Sequence, residues 1–219
     1  MAAADALAGL RIVVSAGPTY EDLDPVRFIG NRSSGKMGFA IAAAAARRGA
    51  QVLLVAGPVA LATPAGVQRV DVRSAAQMHD AVLAGLPADV YVGAAAVADF
   101  TPRQVAAGKI KKRDGEDGLT LELVRTRDIL ADVAGHARRP RLVVGFAAET
   151  DSVDSNARAK LVKKKVDLIA ANRVGVEGSG FESDDNALVV YWNGGEQALG
   201  PAPKTELADR LLDLVAERL

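Results

Sequence analysis

Residues 11–56 read RIVVSAGPTYEDLDPVRFIGNRSSGKMGFAIAAAAARRGAQVLLVA. Arg11–Ala16 is a short β-branched run that ends at Gly17-Pro18, and Gln51–Ala56 is a second apolar run that ends at Gly57-Pro58. Apolar runs of this length bounded by Gly and Pro read as buried strands. Between them the Ala-rich stretch from about Gly35 to Arg48 reads as a helix. Ser33 or Ser34 can cap its start, Arg47-Arg48 suit the negative end of its dipole, and Gly49 supplies the stop. Small side chains let such a helix lie close to a sheet. Strand, helix and strand in this order form a parallel βαβ unit.

The same alternation continues outward. Ser74-Ala-Ala-Gln77 has capping-box spacing and starts a helix that runs to about Ala84. Val90–Ala95, Leu142–Phe146 and Asp167–Ala171 are further strands, with a helix from about Val153 to Lys165 before the last. Continuous apolar strands separated by helices require a sheet covered on both faces. The expected fold is therefore a doubly wound, Rossmann-like α/β domain with a mostly parallel sheet. Two segments depart from this pattern. Lys109–Val124 reads as a β-hairpin arm turning at 114–118. Near the end, Ala187–Trp192 and Glu196–Leu199 flank Asn193-Gly194-Gly195 as a C-terminal hairpin. A final helix, Thr205–Leu219, carries Leu207, Leu211, Leu214 and Val215 on one stripe. Residues 1–10 read as a disordered linker or tag remnant, and 11–219 as a single domain.

Composition narrows the chemistry. The chain has 219 residues, 27 Lys+Arg, 27 Asp+Glu, two His and no Cys. Thiol nucleophiles, disulfides and Cys-ligated metals are excluded, and a His-rich metal site is disfavoured. A balanced charge with five Phe, three Tyr and one Trp argues against nucleic acid as partner. No apolar run approaches the ~20 residues of a membrane span, and Met1–Leu10 lacks the basic start of a secretory signal. A cytoplasmic enzyme is expected.

Unusual residues fall where such sheets bind ligands, at the carboxyl ends of the strands. The segment Gly17–Gly38 far exceeds the ~2–6 residues of an ordinary βα loop. Within it, Gly30–Lys36 matches the first seven places of a P-loop, but Met37 stands where Ser or Thr would hold Mg²⁺, and the strand ends too early. The segment reads instead as an anion site, with Ser33, Ser34, Gly35 and backbone N–H groups at a helix N-terminus, or as a plain cap. No G-x-G-x-x-G follows any strand. Asp99, after the tiny residues of Val92–Ala98, reads equally as a ligand carboxylate or a turn-starting Asp. Lys109–Lys112 reads as a basic arm able to fold over phosphate, or as an edge strand blunted by Lys. Lys160 and Lys164 share a helical face, with Lys163 and Lys165 pointing to solvent. Phe146 could stack on a base or pack in the core. Together these residues point to binding of a phosphorylated nucleotide or cofactor, and to phosphoryl or nucleotidyl transfer by positioning and charge.

The strings AGPTYEDLDPVRFIGNRSSGKMGFAIA, GAAAVADF, KIKK, VGFAAET and DLIAAN, then SDDNAL, resemble in content and order the bacterial CTP-dependent phosphopantothenoylcysteine synthetases. In many bacteria that unit is fused behind a flavin-dependent decarboxylase. The resemblance implies a ligase of coenzyme A biosynthesis. CTP, arriving with Mg²⁺ held mainly by its phosphates, would activate the carboxylate of 4′-phosphopantothenate as an acyl-cytidylate, and the amine of cysteine would then displace CMP. By the same resemblance Asn31 would hold the acyl carbonyl, with Arg27 in the same loop, and Ala95 and Ala96 would line the intermediate. Asp99, Lys109, Arg127, Asp128, Ile129, Leu130, Phe146, Lys160 and Lys164 would contact CTP, with Lys109 on a flap. The family usually has Pro where this chain has Arg127. A homodimer with the site completed across its interface is also implied. The readings that compete are an NAD(P)-dependent oxidoreductase, against which the missing glycine fingerprint speaks, and a non-catalytic nucleotide-sensing module.

Overall fold

Strand β1 (Arg11–Ala16) lies at the centre of an eight-stranded sheet, paired in parallel with β4 (Gln51–Ala56) on one side and β6 (Val90–Gly93) on the other. The computed structural model describes residues 6–112, 118–149, 153–173 and 184–219. Beyond β4 the parallel sheet ends at β5 (Val67–Asp71). On the other side β9 (Leu142–Glu149) and β10 (Leu168–Arg173) continue in parallel, and β11 (Asp185–Trp192) with β12 (Gly195–Pro203) close it antiparallel. The order β5-β4-β1-β6-β9-β10 is the doubly wound one, and it reverses between β1 and β6. That reversal opens the crevice in which such sheets bind ligands.

Period-2 alternation sends successive strand residues to opposite faces. Ile12, Val14, Leu54 and Val92 pack under α1 (Lys36–Arg47) and α5 (Lys204–Ala216). Val13, Val55, Tyr91 and Val143 pack under α2 (Ala75–Ala84), α3 (Ile129–Ala134) and α4 (Val153–Lys164). Both faces are thus covered, as the continuous apolar strands require. A Cβ on Gly38 would lie 2.5 Å from the Ala16 Cβ, so glycine is what lets the start of α1 rest on β1. At its other end Arg48, 3% exposed, reaches Asp209 and Asp213 of α5 at 3.3 and 2.9 Å, joining the two helices of that layer. The expected capping box at Ser74 and Gln77 is present.

Several expectations need correction. Neither Ser33 nor Ser34 caps α1. Its N-cap is Gly35 in the left-handed conformation at φ 76°, and no side chain closes the first turn. Residues 6–10 are not a disordered linker or remnant. Leu7 is fully buried and its amide donates to Arg48 O at 3.1 Å, while residues 1–5 lie outside the described residues. The arm is not a 109–124 hairpin. Its ladder pairs β7 (Phe100–Pro102) with β8 (Leu123–Arg125), and Lys109–Lys112 form no strand. Thr126 fixes this register by donating from its amide to Asp99 O at 3.0 Å and from its hydroxyl to Ala98 O at 2.7 Å. The intended turn at 114–117, together with Thr150 and Ser183, lies outside the described residues. A second antiparallel pair, β2 (Tyr20–Asp22) with β3 (Phe28–Gly30), occupies the long loop after β1.

Candidate active site at the carboxyl edge of the sheet

The loops after β1 and β6 are zipped together. Ala96 donates to Gly17 O at 2.9 Å and Thr19 to Ala96 O at 3.3 Å, and the Thr19 hydroxyl accepts the Ala98 amide at 2.9 Å. Gly17 sits at φ 79°, which the tight exit from β1 requires. This is the structural use of Gly17-Pro18-Thr19 and of the tiny residues Ala94–Ala98. They bring two backbone segments into contact and leave a smooth wall.

Two clefts meet at that wall. One, of about 620 Å³, runs between the end of β6, the segment 125–130 and α4. The other, of about 480 Å³, runs between the end of β6 and the start of α1. Ala95, Val97, Asp99, Phe146 and Lys160 line both. A molecule spanning the two would pass over the Ala95–Val97 backbone, with Asp99, Phe146 and Lys160 beside it.

The first cleft gathers Asp99, Arg127, Asp128, Ile129, Leu130, Phe146, Lys160 and Lys164. Asp128 caps α3 by accepting the Ala131 amide at 3.1 Å, and its other oxygen pairs with the Lys164 ammonium. Lys160 donates to Phe146 O at 2.9 Å, which ties α4 to β9. Lys163 is exposed, as expected, and also lines this cleft. Arg127 leans toward α2, with Nη1 3.6 Å from Asp80 and 3.4 Å from His79 Nδ1. On the floor, Ser15 Oγ and Tyr91 Oη share a hydrogen bond of 2.9 Å, and burial pushes the Tyr91 phenol up to about 12 against the pull of that bond. Phe146 packs against the core, as one of its two readings expects, and also lines both clefts.

The second cleft holds Asn31, Ser33, Ser34, Gly35, Ala95 and Ala96. The Asn31 amide donates to Val97 O at 2.9 Å, so the loop after β3 is latched to the β6 wall. Ser33 Oγ accepts the Gly35 amide at 3.3 Å. With no side-chain cap on α1, its first N–H groups suit an anion. Lys204, Asn172 and Asn186 border the same cleft and are mostly buried, at 6–8% exposure. Sequence reasoning missed all three. They come from distant strands and a helix start; Asn172 and Asn186 lie in the strings DLIAAN and SDDNAL, which assign them no role, and Lys204 lies in none of the strings. Burial and the nearby Lys36 charge hold the Lys204 ammonium below its ordinary range, partly offset by Asp184.

Two expected residues are not brought to the clefts. Lys109 is exposed and lines neither. Arg27 turns away to Asp24, at 2.6 Å, and to Ile110 O, also at 2.6 Å. Among the described residues no group of three or more His, Asp or Glu gathers as a metal site, and no helix is long and apolar enough to cross a membrane.

Residues 7–219 match the model of the DNA/pantothenate metabolism flavoprotein C-terminal domain family. The chain belongs to this family. It is 51% identical over 211 residues to the coenzyme A biosynthesis bifunctional protein CoaBC of Escherichia coli strain K12, and 49% identical over 214 residues to that of Vibrio cholerae serotype O1. Those alignments cover 95% and 97% of this chain but 52% and 54% of the relatives, so the chain spans about half their length. Among solved structures, the crystal structure of a CoaBC C-terminal domain is similar at 39% identity and a TM-score of 0.82, over 97% of both chains. A mutant of Cab2, in complex with phosphopantothenate-cysteine, shares the fold at 16% identity and a TM-score of 0.77, over 95% of this chain and 86% of that one.

Proposed function

We propose that this family member is a phosphopantothenate–cysteine ligase that uses CTP. The observation that carries the proposal is the pair of clefts sharing the Ala95–Val97 wall. The cleft toward α4 offers Lys160, Lys163 and Lys164 for a triphosphate and Phe146 and Asp99 for a base. The cleft toward α1 offers an uncapped helix start, Ser33–Gly35, for the phosphate of 4′-phosphopantothenate. The reacting carboxylate and the α-phosphorus would then meet over the shared wall. The names of the CoaBC relatives, and the ligand of the Cab2 structure, support this choice of substrates.

In the first step a carboxylate oxygen bonds to the α-phosphorus, and the bond to pyrophosphate breaks. In the second, the cysteine amine bonds to the acyl carbon, the bond from that carbon to the CMP oxygen breaks, and the amine loses a proton. Neither step needs an enzyme nucleophile, which fits a chain without Cys. Cations on the triphosphate and a donor toward the acyl oxygen suffice. Lys160 and Lys164 supply the first and Asn31 the second, with Lys109 reaching in from the arm. Mg²⁺ would come with CTP. The cleft carboxylates Asp99 and Asp128 are too few for a protein cage, which suits an ion held by phosphate oxygens and water.

Apolar side chains left exposed on the β2–β3 and β7–β8 pairs, among them Val26, Phe28, Phe100 and Val105, support a homodimer through this side of the molecule. In a full-length protein the other half would be a flavin-dependent decarboxylase, and the setting cytoplasmic. The test is pyrophosphate release from CTP, ATP and NADPH-containing controls with 4′-phosphopantothenate, with and without cysteine. CTP-dependent release without cysteine, with CMP formed only when cysteine is added, is expected. Equal turnover of ATP removes the CTP assignment, and no release with either nucleotide removes the ligase.

A further inference from the structure

Asp24 is 1% exposed, yet it contacts no other charged side chain than Arg27 among the described residues. One oxygen, Oδ1, accepts the amides of Val26 and Arg27, each at 2.8 Å. The other, Oδ2, accepts from Arg27 Nε at 3.0 Å and Nη2 at 2.6 Å, and from the amide of Ile110 at 3.0 Å. Arg27 Nη2 then reaches Ile110 O at 2.6 Å. Ala106 donates to Leu23 O at 2.9 Å, a third link between the same two segments. The peptide groups on both sides of Ile110 are therefore held, and the first of them is the Lys109–Ile110 peptide.

We propose that Asp24, through Arg27, is a positioning residue that clasps the root of the arm and sets where Lys109 stands relative to the clefts. The proposal rests on the ligase reading, in which Lys109 meets the triphosphate. The loop that carries the clasp also carries Asn31, seven residues on from Asp24, and Asn31 is latched to Val97 O. Arm and substrate loop thus form one hydrogen-bonded unit. Among the described residues the Lys109 side chain makes no hydrogen bond or ion pair, so its position there follows its backbone. Burial alone would raise the Asp24 carboxyl, but the Arg27 side chain and the amides of Ile110, Val26 and Arg27 outweigh it and hold the group well below the usual carboxylate range. The charge needed for the clasp is present throughout the neutral range. Charge-assisted bonds of this kind are the stronger ones and geometrically specific.

The test is a double-mutant cycle on pyrophosphate release from CTP and 4′-phosphopantothenate, with Asp24→Asn, Lys109→Ala and both together. Amide hydrogen exchange at Ile110 serves as a readout independent of catalysis. Asp24→Asn is expected to slow release about 10- to 10²-fold, the cost of a small misplacement, and to speed exchange at Ile110. On the Lys109→Ala background it is expected to change the rate less than about twofold, because residues acting as one unit are not additive. Equal slowing on both backgrounds, the signature of a merely structural role, overturns the proposal. A slowed Lys109→Ala beside an unaffected Asp24→Asn overturns the clasp alone, and an unaffected Lys109→Ala removes Lys109 from the reaction and the clasp's role with it. Arg27→Lys, at a side chain 42% exposed, removes the two-pronged contact with Asp24 and the Nη2 bond to Ile110 O while keeping the charge. It must reproduce the same pattern should Asp24→Asn fail to fold, and a wild-type rate in Arg27→Lys would overturn the proposal.

Discussion

The ammonium of Lys160 donates to the main-chain carbonyl of Phe146 at 2.9 Å, joining α4 to β9 beside both clefts, which the two residues line. Under the proposed ligase reading, a cation held there by the backbone would be preorganised for phosphate. It need not be drawn from solvent when a nucleotide arrives.

Lys160→Met keeps most of the side-chain volume and removes the charge. It is expected to lower kcat/KM for CTP by about 10²-fold, the scale of losing one preorganised electrostatic contact. Steady-state pyrophosphate release with CTP varied measures this. A loss confined to 4′-phosphopantothenate KM would assign Lys160 to the other substrate.

Asn31→Asp places a carboxylate against Val97 O, where the amide now donates at 2.9 Å. Under the proposed role it would also replace a donor toward the acyl oxygen with a group that repels developing negative charge. The cysteine-dependent step is expected to suffer more than the CTP-dependent one, so acyl-cytidylate should accumulate on the protein. Single-turnover runs following pyrophosphate and CMP separately decide it. Equal slowing of both would show that Asn31 only latches the loop.

Gly57→Ala is expected to destabilise the fold by about 1–3 kcal/mol or more, as overpacking against a fixed backbone does. An added Cβ would sit 1.7 Å from Pro18 O, and Pro18 lies in the loop zipped to Ala96. Gly108→Ala, with nothing within 4 Å of the added carbon, is the control and should stay within about 0.5 kcal/mol. Urea denaturation of both variants measures the difference.

Asp24 gives a pH signature of known sign. Its folded-state value lies below the ordinary 3.8, so the carboxylate contributes stability that is fully present above that pH and lost as pH falls through the folded value. The stability gap between wild type and Asp24→Asn should therefore be flat from neutral pH to about 5 and shrink below about 4. Denaturation midpoints across pH 2–7 test this, and a gap that widens on acidification would contradict it.

The central sheet was legible in local sequence because each buried strand and its helix carry their own signal. Arg11–Ala16, Gln51–Ala56 and the Ser74–Gln77 capping box fall where their patterns place them. β5 was not legible. It is an edge strand with a mostly exposed face, so it has no apolar run to read. The six-residue α3 is too short to show a period.

For the candidate site, sequence order and residue type put Asp99 and Phe146 after apolar strand runs, the Ser33–Gly35 helix start after β1, and Lys160 with Lys164 on one helical face. Which of them face one another is a tertiary fact. The Ala95–Val97 wall exists because Gly17, Thr19 and Ala96 exchange backbone bonds across the β1–β6 gap and the Thr19 hydroxyl accepts the Ala98 amide. Lys204, Asn172 and Asn186 join the second cleft from three different elements. The departures of Arg27 and of the arm have the same origin. Asp24 and Ile110 are 86 positions apart, and a hydrogen bond between them leaves no periodicity in the chain. Local pattern fixes a residue's element and face, because it acts over one or two turns. Only the packed sheet decides its partner, because that depends on which distant backbones the core brings within 3 Å.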